Sequence, residues 1–138
     1  RIYKMQDNRH IILQCDLYNI IELDRGCCGQ LLHRKRNWFW KSWKKKYFQY
    51  QSGRLHIWKP KQSHKKCKKI NIKPTSMLTN IIPKKYFSGY LIYKFDIIKG
   101  NGKWIHTFAS PRREKILLLW NQIYSHIHAE SSEIFFSC

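Results

Sequence analysis

The chain has 138 residues, of which 43% are hydrophobic and 15% aromatic, and its formal net charge is +19. This length fits one domain with a single modest core, and so large an apolar fraction excludes a wholly disordered chain. No stretch reaches the roughly 18 uncharged apolar residues that cross a bilayer, so we predict no transmembrane helix. Because the chain begins at Arg1 and not at Met, we expect it to be a fragment of a longer protein.

The positive charge is concentrated in one half of the sequence. No acidic residue lies between Asp24 and Asp96, and the same stretch holds 19 lysines and arginines. The rest of the chain has eight basic and eight acidic residues and is therefore neutral. A field of one sign over half a protein attracts polyanions, and it opposes folding because like charges repel. We therefore predict an anionic partner.

The first elements in the chain are β-strands, apart from one ambiguous segment. Residues 16–24 place apolar side chains near helical spacing and fit a short helix or an extra strand. From Cys28 onward apolar residues alternate with a period of two, and a tight turn at 51–54 places Gly53 at a positive φ. The pattern predicts seven strands, at 29–33, 42–50, 55–59, 68–73, 77–82, 90–98 and 103–109.

The period then changes from two to 3.6, which predicts one C-terminal helix. Ser110 is a suitable N-cap and Pro111 suits the first helical position. A single apolar stripe faces a core, formed by Ile116, Leu117, Trp120, Ile123, Tyr124 and Ile127. We expect the helix to end near His128 and the tail 129–138 to be frayed.

Several of these segments resemble signatures of the pleckstrin homology (PH) domain family. Gly29–Leu32 resembles the opening Gly-x-Leu strand, and Trp43–Phe48 is similar to the Trp-Lys-x-basic-aromatic-Phe motif of the second strand. Leu55–Trp58 matches the third-strand pattern loosely. Phe108–Ser110, followed by Trp120 in the helix, resembles the most diagnostic pairing of the family.

The resemblance implies a mainly β fold. It would be a seven-stranded, partly open antiparallel barrel made of two nearly orthogonal sheets, with one end capped by the C-terminal helix. The resemblance covers residues 26–128, which leaves residues 1–25 as an N-terminal extension and 129–138 as a C-terminal tail. One departure is that the first strand usually ends with Lys, where this chain has His33.

The resemblance also implies a site. Family members that bind lipid do so at the open end of the barrel, between the first two strands and the loop after the third. Carried over to this chain, the headgroup-binding residues are His33, Arg34, Lys35, Lys44, Lys46, Lys59 and Lys69, and Lys68 is a further candidate for the rim. Lys44 and Lys46 are two apart on a strand, so both point to one face while Lys45 points to the other.

A basic and aromatic loop precedes the second strand. Trp38, Phe39 and Trp40 are consecutive and are bracketed by cations. Tryptophan prefers the headgroup interface of a membrane, where its ring is apolar and its N–H stays hydrated. We predict that these three residues insert into a membrane surface, with packing on the N-terminal extension as the alternative.

These features together favour a monomeric peripheral membrane module on the cytosolic face of a membrane. We expect it to bind anionic phospholipid headgroups, either phosphoinositide or phosphatidic acid. The chain also has a faint similarity to the acylated PH-domain proteins of apicomplexan parasites, which sense phosphatidic acid. The alternatives are a protein-interaction PH domain that meets an acidic partner and, as a weaker candidate, a nucleic-acid-binding module.

Enzymatic, metal and cofactor chemistry are not expected. The basic stretch offers no carboxylate for acid–base catalysis, no Gly-rich phosphate loop and no G-x-S-x-G motif. Five cysteines do not form a disulfide framework, and we expect free thiols in a reducing cytosol. His64 with Cys67 is a poor metal site, and the adjacent Cys27–Cys28 pair chelates badly. Acylation of Cys27–Cys28 is a weaker hypothesis.

Overall fold

The computed structural model describes residues 18–35, 43–60, 67–85, 89 and 91–136. These ranges contain a single helix, α1, at Arg113–Phe136. They also contain nine strands: β1 (Ile20–Leu23), β2 (Gly26–Lys35), β3 (Lys44–Gln51), β4 (Arg54–Trp58), β5 (Lys68–Asn71), β6 (Met77–Leu78), β7 (Ile82–Lys85), β8 (Leu91–Ile98) and β9 (Trp104–Ser110). In this part of the chain no helix combines the length and the apolar character needed to cross a bilayer.

The described strands form one curled, antiparallel half-barrel. Its main path runs β5-β4-β3-β2-β9-β8-β6, with β1 added beside β2 and β7 beside β8. β2 connects the two parts of the sheet, because its first half lies between β1 and β3 and its second half between β3 and β9. The prediction of a mainly β, partly open antiparallel barrel with one C-terminal helix is confirmed. The two predicted sheets are continuous through β2.

Within the ambiguous segment before Gly26, residues 20–23 form a strand. β1 pairs with β2 from Ile20 opposite Gly29 to Leu23 opposite Gly26, with a two-residue turn between them. Ile20 is only 1% exposed and belongs to the main core. The domain boundary predicted at 25/26 therefore falls inside a hairpin, and part of the N-terminal extension contributes to the sheet.

The strand predicted at 77–82 is divided into β6 and β7. The break lies at Thr79, whose backbone N–H donates to the carbonyl oxygen of Asp96 at 3.0 Å. The Thr79 hydroxyl accepts a hydrogen bond from the Asp96 N–H at 2.7 Å, and the Thr79 carbonyl accepts one from Trp120 Nε1 at 2.8 Å. The Thr79 hydroxyl and the Trp120 side chain of the helix thus replace backbone groups of a neighbouring strand as hydrogen-bond partners. The strand is therefore interrupted at Thr79.

The helix begins later and ends later than the sequence predicted. Ser110 still pairs with Tyr93 in the sheet, so it belongs to β9. Its hydroxyl accepts a hydrogen bond from the Arg112 N–H at 3.0 Å, which turns the chain toward the helix start at Arg113. No Gly or Pro follows His128 to stop the helix. Residues 129–136 are therefore helical, where the sequence predicted a frayed tail.

The apolar stripe of α1 closes the core. Its buried positions are Ile116, Leu119, Ile123 and Ile127, at i, i+3, i+7 and i+11. Leu119 is thus a core residue that the predicted stripe omitted. Tyr124, which the stripe included, is 44% exposed and stacks between Trp120 and His128 on the flank of the helix.

Tyr50 is a core residue with a defined polar role. It is 1% exposed, and its hydroxyl accepts a hydrogen bond at 3.0 Å from the N–H of Gly53 in the β3–β4 turn. Gly53 has a φ of 84°, as predicted for this turn. Burial raises the pKa of Tyr50 to about 12. An unfolded tyrosine ionises near 10, so this residue reduces stability as the pH rises from about 10 through about 12.

We therefore expect Tyr50→Phe to lower the free energy of unfolding by about 1–2 kcal/mol at neutral pH, because the Gly53 N–H loses its buried acceptor. Urea denaturation measures this difference. The difference between the two proteins should narrow above about pH 10, since only the wild type has a tyrosine to ionise here. Tyr124→Phe, at an exposed position, is the control. A difference that stays constant up to about pH 12 contradicts the role of Tyr50 ionisation.

Candidate functional site

The strands β2, β4 and β8 all end at the same end of the half-barrel. Neighbouring strands are antiparallel, so the last residues of β2, β4 and β8 lie at the same end as the first residues of β3, β5 and β9. We call this end the open rim. α1 follows β9 from the opposite end, where it packs its stripe into the core.

Strand alternation sorts the rim cations into two faces. Leu31 on β2 and Phe48 on β3 belong to the main core, which defines the inner face of the curled sheet. Lys46 pairs with Leu31, and Lys44 pairs with His33. Since directly opposed residues point to the same face, Lys44 and Lys46 both lie on the inner face at the rim, as predicted.

Lys59 joins these two lysines from the end of β4. Burial lowers the pKa of Lys46, and the positive charges of Lys59 and Lys44 lower it further. Tyr47 pairs with Trp58, so the β3–β4 register continued by one residue places Lys59 opposite Lys46 on the inner face. We call Lys44, Lys46 and Lys59 the lysine cluster.

The lysine cluster faces no described carboxylate. Glu22 and Asp24 lie at the β1–β2 turn, at the far end of β2 from the rim. Asp96 lies on the outer face, where its carboxylate accepts a hydrogen bond from the Thr107 hydroxyl, and Glu114 lies in the first turn of α1. Within the described side chains, the mutual repulsion of the cluster is therefore not offset by an acid. Ammonium groups that converge in this way can donate together to the oxygens of one anion.

The two lysines of β5 lie on opposite faces. Lys68 pairs with Ile57, a core residue, so Lys68 points to the inner face. Lys69 pairs with His56 and points to the outer face, where it is exposed. The structure thus separates Lys69 from the lysine cluster and places Lys68 on the same face as the cluster.

Arg34 also lies on the outer face. It lies two residues after Leu32 on β2, so the two side chains point to the same face. Leu32 belongs to a small cluster outside the main core. Its guanidinium carbon lies 4.6 Å from the centre of the Trp43 ring. This cation–π contact holds Arg34 away from the lysine cluster. On the same face Lys45 Nζ lies 5.9 Å from the centre of the Tyr18 ring.

Four predicted site residues have side chains outside the described part of the structure. Lys35 ends β2, but its side chain is not described. Trp38, Phe39 and Trp40 lie between the described ranges 18–35 and 43–60. Their roles stay predictions.

His33 lies below the rim rather than on it. It is 7% exposed, and its Nε2 lies 2.8 Å from Nδ1 of His106, which is 2% exposed. Its ring also stacks on Phe108, with centroids 5.3 Å apart. We therefore leave His33 out of the residues that contact a headgroup directly. His106 was not among the residues predicted from the sequence, although its position two residues before Phe108 on β9 indicates that it shares the inner face.

Cys27 and Cys28 are buried residues of β2 with free thiols. Cys27 and Cys28 are both 0% exposed, on opposite faces of β2. Burial, followed by the neighbouring Cys28 and Glu22, raises the pKa of the Cys27 thiol far above its usual range. Full burial contradicts the hypothesis that this pair is acylated, because a modifying enzyme has no access to either thiol. The described residues contain no group of three or more metal-ligating side chains.

Comparison with known proteins adds no relative. No protein-family model matches the chain, and a search of curated proteins finds no match. The antiparallel meander with its C-terminal helix is compatible with a PH-like fold.

Proposed function

We propose that this protein is a PH-like peripheral membrane module that binds anionic phospholipid headgroups at the open rim. The observation that carries the proposal is the lysine cluster, in which strand pairing places Lys44, Lys46 and Lys59 together on the inner face at the rim. Burial and the charges of Lys59 and Lys44 lower the pKa of Lys46, in keeping with that placement. Three cations that repel each other on one face, with no described carboxylate beside them, oppose folding. A bound phosphate offsets that repulsion.

The wider charge distribution favours a membrane surface over a small soluble anion. Each Lys or Arg close to an anionic bilayer contributes roughly 1 kcal/mol, so the lysine cluster alone supplies about 3 kcal/mol. That corresponds to an affinity weaker than about 1 mM, which is too weak to recruit a protein. The other cations of the acid-free stretch add to the attraction, and insertion of Trp38, Phe39 and Trp40 would add a salt-insensitive part.

The chemistry of the cluster favours a phosphomonoester as the ligand. Its phosphate carries about −1.5 to −2 charges at neutral pH and presents three acceptor oxygens, so three ammonium groups can donate to one group. Phosphatidic acid and the phosphoinositides both present such a phosphate. A phosphatidylserine headgroup spreads less net charge over more atoms.

Sedimentation with vesicles of defined composition tests the proposal. Vesicles of phosphatidylcholine alone are compared at about 0.15 M salt with vesicles containing phosphatidylserine, phosphatidic acid or a phosphoinositide at equal total charge. We expect recruitment by the anionic vesicles, with the phosphomonoester lipids strongest. If none of the anionic vesicles recruits the protein, the proposal is wrong.

Soluble competitors distinguish the other partner classes in the same assay. Single-stranded DNA represents nucleic acid, and polyglutamate represents an acidic protein. We expect both to compete weakly at equal phosphate or carboxylate concentration, because neither places a dianionic group at one point. Equal affinity for DNA would favour a nucleic-acid-binding module, and stronger competition by polyglutamate would favour an acidic protein partner.

A further inference from the structure

The inner face at the open rim holds a buried histidine pair. His33 Nε2 and His106 Nδ1 lie 2.8 Å apart, and the two side chains are 7% and 2% exposed. Hydrogen bonding between two imidazole nitrogens requires one of them to carry the proton and the other to accept it. One additional proton keeps this bond and makes it charge-assisted, whereas two additional protons break it. The pair therefore accommodates one extra proton.

The pair lies directly beside the lysine cluster. His33 is the cross-strand partner of Lys44, and both residues point to the inner face. His106 pairs with Lys35 on one side and Ile97 on the other, and both histidine rings stack on Phe108. The histidine pair thus forms the boundary between the charged rim and the aromatic core.

The charged groups around the pair are cationic on the inner face. β3 contributes Lys44 and Lys46, the end of β4 contributes Lys59, and β5 contributes Lys68. β8 and β9 contribute the uncharged Ile97, Phe95 and Phe108. The other described charges of β2 and of these strands point to the outer face, namely Arg34, Lys45, Arg54, Lys69, Lys94 and Asp96.

We propose that His33 and His106 form a proton-binding pair directly below the lysine cluster. A phosphate headgroup that binds to the cluster is then accompanied by the uptake of up to one proton at this pair. This inference rests on the proposed function. With the site empty, the neighbouring ammonium groups oppose a further positive charge on the pair. A phosphate held by the lysine cluster reverses the local potential and favours proton uptake. By linkage, the affinity for the headgroup rises as the pH falls through the range in which imidazoles titrate.

Calorimetric titration with vesicles rich in phosphatidylglycerol tests this coupling in the intact protein. This lipid is a phosphodiester, so its charge stays constant over the range, unlike that of a phosphomonoester. Titrations in two buffers of different ionisation enthalpy give the number of protons taken up. We expect uptake of a substantial fraction of one proton, and an affinity that rises about tenfold between about pH 7.5 and about pH 5.5.

Two variants show whether the histidine pair is the group that takes up the proton. His33→Gln should remove the proton uptake and flatten the pH dependence of binding, because a glutamine amide does not titrate. His128→Gln, at an exposed position on α1, is the matched control and should keep both properties. If His33→Gln does not fold, the ring nitrogen resonances of His33 and His106 in the wild type take its place, with glycerol phosphate as the soluble probe. They should shift toward the protonated form when the probe is added.

The outcomes separate this inference from the proposed function. If no anionic vesicle binds at any pH, the proposed function is wrong and this inference is wrong with it. If binding is strong but constant between about pH 7.5 and about pH 5.5 without proton uptake, only the proton coupling is overturned. Proton uptake that persists in His33→Gln, or unchanged ring resonances of both histidines, overturns it as well.

Discussion

Reversing the charge of Lys44 and Lys46 together, by Lys44→Glu and Lys46→Glu, is expected to lower the affinity for anionic vesicles about a thousandfold. Each lysine contributes roughly 1 kcal/mol of attraction near an anionic surface, and each glutamate replaces it with a comparable repulsion. The two changes therefore cost about 4 kcal/mol, which corresponds to about three orders of magnitude in the dissociation constant. Vesicle sedimentation at about 0.15 M salt measures the loss.

The loss of binding should not come from a loss of stability. In the wild type the positive charges of Lys59 and Lys44 act against the charged form of Lys46, so the cluster opposes folding. Glutamates at 44 and 46 would lie beside the cation of Lys59 and relieve that repulsion. We expect the free energy of unfolding of the double variant to equal or exceed that of the wild type in urea denaturation.

A matched control separates position from charge. Lys73, just after β5, and Lys85, at the end of β7, are both exposed and lie at the end of the half-barrel opposite to the rim. Lys73→Glu with Lys85→Glu changes the net charge by the same amount. It should weaken binding by about tenfold at most, through the long-range field alone. If both double variants bind equally weakly, total charge and not the lysine cluster determines recruitment.

The sequence predicted the centre of this site because strand alternation is a local rule. Lys44 and Lys46 are two residues apart, so they share a face in any strand that contains them. The same rule places Lys68 and Lys69 on opposite faces, but the face of each depends on the register of β5 against β4. That register is determined by long-range pairing, which alternation within β5 alone does not reveal.

The contact between His33 and His106 could not be predicted from the sequence, for a similar reason. His33 and His106 are 73 positions apart in the chain, and only the pairing of β2 with β9 brings them together. His33 occupies the position where a PH-like strand usually ends with lysine, and it was predicted to be a headgroup-binding residue. Because β9 lies beside β2, the His33 ring contacts His106 on the neighbouring strand and is buried and hydrogen-bonded instead. Arg34 stacks on Trp43 on the other face.

The fold itself was predictable where periodicity was unambiguous. The predicted and observed bounds of β8 and β9 differ by at most one residue at each end. Residues 16–24 fit two periods equally, so only the pairing with β2 selects the strand. Serine is a common N-cap residue, yet the backbone of Ser110 still pairs with Tyr93 of β8 before the helix starts.

Gly29→Ala is expected to lower the stability of the protein strongly. Gly29 has a φ of 155°, and a Cβ added there would overlap the carbonyl oxygen of Asn19 and lie 2.8 Å from the Cα of Ile20. Both obstacles are backbone atoms, which do not rotate away. β1 would have to separate from β2 at this point, and Ile20 would lose its burial in the core.

The expected cost is about 3–5 kcal/mol in the free energy of unfolding. Exposure of a buried isoleucine accounts for about 1.5–3 kcal/mol, and the strained backbone for about 1–3 kcal/mol. Urea denaturation measures the total. Hydrogen exchange at the Gln30 N–H, which donates to the Asn19 carbonyl at 3.0 Å, reports whether β1 has separated.

Gly102→Ala is the control that isolates the steric part of this cost. Gly102 has a φ of 83°, so alanine is unfavourable there as well, but an added Cβ meets nothing within 4 Å. We expect that variant to lose only about 1 kcal/mol. If the two substitutions cost the same, Gly29 is required only for its backbone conformation. A larger cost at Gly29, with rapid exchange at Gln30, means that the close approach of β1 to β2 stabilises the strand that contains His33.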